Sequence, residues 1–155
     1  MSLLSCSQAG CSGKLLEFLI AEVRFESVSN FLLGIVYKFL NTGYLYEFQN
    51  QFLDLQVNYR HSIIFNDFNA DIFIDTYDNM QLKNFVDSAN LCCIPYRATH
   101  YLRDFGTLLD LCIIDARTKI INFGQHGMVF LSAHHLIYIR DIIKRLGSSC
   151  NVSEF

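Results

Sequence analysis

The stretch "HSIIFNDFNADIFID", residues 61–75, decides how the rest of the chain is read. An apolar run, Ile63 to Phe65, breaks into Asn66-Asp67-Phe68-Asn69-Ala70-Asp71 with no Gly or Pro to make the turn. Asp67, Asn69 and Asp71 put side-chain oxygens at alternate positions, as the opening of an EF-hand calcium loop does. That loop needs Gly at its sixth position, and Ile72 stands there. Its twelfth position prefers Glu, and here it is Asp78. With Gln81 three residues on, Asp78 reads better as the N-cap of a following helix. A plain turn remains open, because Asp and Asn bond their own backbone at strand ends without any function being implied.

The surrounding sequence has the composition of one globular domain: 155 residues, 52% hydrophobic and 17% charged. A formal charge of −3 argues against nucleic-acid binding through bulk positive charge. The six cysteines form no CxxC pair and no zinc ladder, so disulfides and structural zinc are not expected. "FLLGIVYKFL" is too short to span a bilayer and carries Lys38, and the N-terminus has no signal-peptide pattern. These features predict a soluble, intracellular chain, nuclear or cytoplasmic, from a reducing compartment.

Residues 1–14 are small and polar and read as an irregular segment. "LEFLIAEVRF" and "FLLGIVYKF" have strand length and composition. In "GYLYEFQNQFLDLQVNYR", Tyr44, Phe48, Phe52 and Leu55 recur at helical spacing. "SIIF" is a short apolar strand, and "NMQLKNFVDSANL" is a second helix. "LLDLCIID" and "KIINF" read as adjacent strands. "HHLIYIRDIIKRL" fits a helix or a strand, and its Arg140, Lys144 and Arg145 form a solvated face or a modest basic patch. Strands interleaved with helices predict an α/β sheet covered by helices.

Three stretches in order, "NDFNADI", "THYLRDFGTLLDLCIID" and "FLSAHHLIYI", resemble the endonuclease/exonuclease/phosphatase superfamily, related to DNase I. The resemblance is closer to the endonuclease domain of jockey-type non-LTR retrotransposons and covers roughly residues 15–140. It implies a partial DNase I-like α/β sandwich over residues 15–146, two packed mixed sheets flanked by helices, with residues 147–155 as a tail. It implies that Asp67 orients or deprotonates the attacking water and holds Mg²⁺ or Mn²⁺. Asn69 would bond the scissile phosphate, and His134 a non-bridging phosphate oxygen. Asp110 would fix the tautomer of His134, and Tyr37 would border the phosphate. The residue types suit those roles, since a buried Asp110 is costly unless paired. His100, in "THY", receives no role.

The sequence departs from the family at three places. Asn66 replaces the motif's Gly, and Asn tolerates the positive φ such a turn would need. Ala133 replaces a common Asp before the His. The family's metal-binding Glu and an earlier strand fall before residue 1, so the chain reads as an N-terminally truncated copy with weakly held metal. The implied function is metal-dependent nicking of DNA, impaired in this chain, with DNA as the partner. Two alternatives stand beside it: a catalytically dead remnant acting as a binding module, and a phosphodiesterase of the same fold on a small phosphoester or phospholipid.

Overall fold

The computed structural model describes residues 1–7, 16–26, 29–38, 45–69, 71–102, 105–127 and 132–141, and every structural statement concerns these. In chain order they form β1 (Ser2–Cys6), β2 (Glu17–Val23), β3 (Phe31–Tyr37), α1 (Tyr46–Gln56), β4 (Ser62–Asp67) and α2 (Tyr77–Ser88). Then follow β5 (Cys92–Cys93), β6 (His100–Leu102), β7 (Phe105–Thr107), β8 (Asp110–Ile114), a 3-10 turn (Arg117–Lys119), β9 (Ile120–His126) and β10 (Leu136–Asp141).

Six strands make one sheet in the order β1-β2-β3-β4-β8-β5. Only β3 and β4 run parallel, because α1 carries the chain back across the sheet between them. Ile20, Gly34, Ile64 and Ile113 are successive cross-strand partners and so share a face. Both helices pack on that face. Phe48 and Phe52 from α1 and Phe85 from α2 form an aromatic cluster with ring centroids 5.4–6.4 Å apart. Gly34 permits the close approach: a Cβ there would stand 3.1 Å from the Phe48 ring and 3.2 Å from that of Phe52.

On the other face of β8, Cys112 and Ile114 are also fully buried. Antiparallel β9 and β10 form the second layer, with Ile120, Ile137 and Ile139 against the core and β10 beside β8. The same face under β3 is open: Ile35 is 47% exposed and Tyr37 41%. Strands β6 and β7 form a separate hairpin.

Several expectations need correction. Residues 2–6 are not irregular but form β1, the edge strand, with a register shift between Leu3 and Ser5. Leu3 and Leu4 are exposed, so pairing with β2, rather than burial, orders the segment. Residues 8–14 of that segment, Tyr44, Lys144, Arg145 and the 147–155 tail lie outside the described residues. The ambiguous segment from His134 is a strand where it is described. The N-cap of α2 is Thr76, whose hydroxyl accepts from the Asn79 amide. Asp78 instead accepts from Lys38 Nζ at 2.5 Å. Asn66 does not take a positive φ; it is the penultimate residue of β4.

Candidate active site

The interruption after "SIIF" is a turn built from side chains in place of Gly and Pro. Asn69 supplies the left-handed residue, with φ of 47°. Its backbone N–H donates to Asp67 Oδ1 at 3.0 Å, and its Nδ2 donates to the Lys38 carbonyl at 2.6 Å. Asp71 Oδ1 accepts the N–H groups of Phe73 and Leu108, at 3.1 and 3.2 Å. Asn79, fully buried, donates to the carbonyls of Ile72 and Ile74 at 3.0 and 2.7 Å. Phe68 turns into the core. With Asn69 in the left-handed region, the extended backbone of β4, in which residues two apart point the same way, does not continue to residue 69.

The end of the sheet that this turn braces carries a row of polar side chains. Asp67 is the Cα partner of Tyr37 on β3 and of Asp110 on β8. Cross-strand partners share a face, so the three side chains stand side by side on the face away from the helices. Thr99 Oγ1, fully buried, accepts the N–H groups of Leu109 and Asp110 at 3.2 and 3.0 Å and fixes where β8 starts.

His134 comes from the second layer. Its Nδ1 lies 2.9 Å from Asp110 Oδ2. An ionised carboxylate only accepts, so Nδ1 carries the proton and Nε2 is the ring atom left for a ligand. The segment carrying His134 is held by a bridge to His100, by His135 N–H donating to the Thr99 carbonyl at 2.6 Å, and by Tyr101 N–H donating to that of Ala133 at 3.1 Å. The rings of His100 and His134 stand 4.7 Å apart, and His100 Nδ1 lies 3.3 Å from Thr107 Oγ1.

Asp67, Asp110 and His134 each offer a donor atom, all within 4.8 Å of one another. Burial pushes the Asp67 carboxyl up from its ordinary value, and the neighbouring Asp110 charge adds to this. The Asn69 N–H, His134 and His100 pull the other way. Two half-buried carboxylates with only imidazoles to offset them suit a hard divalent cation. Among the described residues, Asp67 Oδ2 and Asp110 Oδ1 accept no hydrogen bond, so one oxygen of each is left for it.

All five residues singled out from the sequence thus lie at or beside one end of the sheet. Asn69 differs in that one amide hydrogen is committed to the Lys38 carbonyl. Sequence reasoning missed the brace, Thr99, and the ring contact of His100. The motif "TH" was visible, but nothing local shows that Thr99 reaches residues ten and eleven positions on.

The fold, a mixed sheet with helices on one face and a second β layer on the other, is DNase I-like. Among solved structures, the chain is similar to the endonuclease domain of TRAS1, a telomere-specific non-LTR retrotransposon, with a TM-score of 0.62 and 12% identity. The match covers 81% of this chain and 62% of that domain, so the chain spans less than two thirds of its length. No family model matches the chain, and no curated protein matches it in sequence.

Proposed function

We propose that this chain carries the phosphodiester-hydrolysing face of a DNA endonuclease. The convergence of Asp67, Asp110 and His134 within 4.8 Å, at a sheet end bordered by Tyr37, carries the reading. Its likeness in fold to a retrotransposon endonuclease domain supports DNA as the substrate.

Each role follows from the local chemistry. Asp67 would take the proton of an attacking water; burial raises its proton affinity in the metal-free site. His134, held at Nδ1 by Asp110, presents Nε2 to a non-bridging phosphate oxygen; as imidazolium it offsets the charge that builds there. Asn69 keeps a second amide hydrogen for the phosphate, and Tyr37 stands next in the row. Water adds to phosphorus and its proton passes to Asp67; the P–O3′ bond breaks, and the departing O3′ takes a proton from solvent to leave a 3′-hydroxyl and a 5′-phosphate. Asp67 and Asp110 would hold Mg²⁺ or Mn²⁺, which when bound supplies positive charge against the phosphate. Ala133 stands where the family has a carboxylate, so a slow rate is expected.

Supercoiled plasmid incubated with the protein and Mg²⁺ tests the reading. Nicked circles are expected from the wild type and not from Asp67→Ala or His134→Ala. Nicking that survives both substitutions sinks it.

A further inference from the structure

Behind the acidic cluster lies a second feature that the proposed chemistry does not use. A cleft of about 430 Å³ opens between β9 and residues 95–101, within the size range of small-ligand sites. Aromatic rings make its walls. Tyr96 and Phe123 meet edge to face with centroids 5.7 Å apart, and Tyr101 stacks on His135 at 4.8 Å and 29°. Tyr101 is 41% exposed and Phe123 38%, so part of each ring is left for a ligand. Arg97 is exposed on the same lining, and its side chain makes no ion pair among the described residues.

One side chain sets the polar chemistry of the cleft. Gln125 Oε1 accepts the Arg97 N–H at 2.9 Å, and its Nε2 donates to the Ala98 carbonyl at 2.9 Å. Those two partners fix which end of the amide is which. The Gln125 Nε2 that lies 3.1 Å from His135 Nδ1 is therefore a donor, and Nδ1 accepts. A neutral His135 then carries its proton on Nε2, facing the space beside Gly127, where a Cβ would stand 3.3 Å away. The cleft thus offers flat apolar faces, one neutral N–H donor and one guanidinium.

We propose that this cleft binds one unpaired DNA base, with Tyr101 and Phe123 as its stacking surfaces, His135 Nε2–H as a donor to its edge and Arg97 against the adjoining phosphate. The proposal rests on the nuclease reading and extends it by naming where a strand is held. Tyr101 and His135 directly follow His100 and His134 on two bridged segments, and consecutive residues of an extended strand face opposite ways. The base therefore sits on the far side of the backbone ladder whose near side carries the acidic cluster. With a net charge of −3 there is no bulk attraction for DNA, so stacking has to carry the affinity.

Fluorescence anisotropy of a labelled ten-nucleotide oligo(dT), recorded in EDTA so that nothing is cut, tests this. Tyr101→Ala is expected to weaken binding roughly tenfold, and Tyr101→Phe, which keeps the stacking face and controls for folding of the hairpin, to bind like wild type. Arg97→Gln should weaken binding and flatten its salt dependence. Oligo(dT) that fails to bind, or that binds Tyr101→Ala as tightly as wild type, or that a duplex of equal length displaces equally well, overturns the proposal. Tyr101-dependent binding by a protein that nicks no plasmid would uphold the cleft and sink the nuclease reading. Nicking by a protein whose binding ignores Tyr101 would do the reverse.

Discussion

The β4–β8 pair carries an Asp–His contact at each end, and the two ends differ in their third member. At the start of β4, His61 Nδ1 lies 3.7 Å from Asp115 Oδ1, and Lys119 Nζ donates to Asp115 Oδ2 at 2.8 Å. Lys119 also donates to the Arg60 carbonyl at 2.8 Å and lies 3.3 Å from His61 Nδ1. One carboxylate meets one ammonium, so the charge is balanced within the fold. At the other end, Asp110 and His134 are joined by Asp67, a second carboxylate. The nearby lysine is no help there, because Lys38 is buried and spends its ammonium on Asp78 at the start of α2. An end that closes its own charge is a brace. An end that leaves two carboxylates facing only imidazoles among the described residues has the charge to take up a cation.

If that distinction is sound, the two ends should fail in different ways. The largest effect belongs to the open end. Asp67→Ala and His134→Ala should each lower nicking by roughly 10²–10⁴-fold, the range for a general base or a charge-stabilising group. The loss should persist per folded molecule, with both variants still unfolding cooperatively. Next comes the closed end. Lys119→Met strands the Asp115 carboxylate and should cost about 2 kcal/mol, below the full cost of breaking a buried pair because the Lys119 side chain is 29% exposed. Thermal unfolding would show it as a drop of several degrees, with nicking per folded molecule unchanged. A lysine variant that loses activity but not stability would collapse the comparison.

How much of this was legible beforehand follows the range of the interactions. Helices α1 and α2 show in the spacing of Phe48, Phe52, Leu82 and Phe85, because their burial is periodic along the chain. Asp67, Asn69, Asp110 and His134 showed through resemblance to a family, not through composition. Strand β1 did not show, since exposed Leu3 and Leu4 owe their order to a partner about twenty residues away. Asp78 and Thr76 both fit a cap three residues ahead of a polar partner. The pull of Lys38, forty positions earlier, decided between them, and no local pattern carries that. The aromatic cleft was hidden for the same reason, its lining running from Pro95 to His135.

A smaller effect separates the two ends through pH. The Asp67 carboxyl is raised in the folded state by burial and by Asp110. Its contribution to stability is therefore present below the unfolded pKa, when the group is protonated in both states, and is lost as pH rises through the folded value. Without divalent ion, Asp67→Asn should melt higher than wild type at pH 7, and the gap should close on acidification toward the ordinary carboxylate range. Adding Mg²⁺ should raise the melting temperature of wild type and leave that of the variant where it was. Equal melting at pH 7 in EDTA would mean that the open end carries no surplus charge.

The smallest expected effect tests whether polarity at this end of β4 is functional residue by residue. Asn66 and Asp67 are neighbours on opposite faces of the strand, so Asn66 points toward the helices, away from the row that Asp67 joins. It is 8% exposed, and neither its amide nitrogen nor its amide oxygen has a hydrogen-bond partner among the described residues. Nothing in the proposed chemistry uses it, and the turn it precedes gets its left-handed residue from Asn69. Removing an unsatisfied buried amide and filling the space with a β-branched side chain should stabilise the fold by about 1 kcal/mol. Asn66→Val should thus unfold at higher denaturant with an unchanged m-value, and nick at the wild-type rate. If Asn66→Val instead lowered nicking while keeping its stability, Asn66 would belong to the site, and the division of β4 into a working face and a packing face would have to be redrawn.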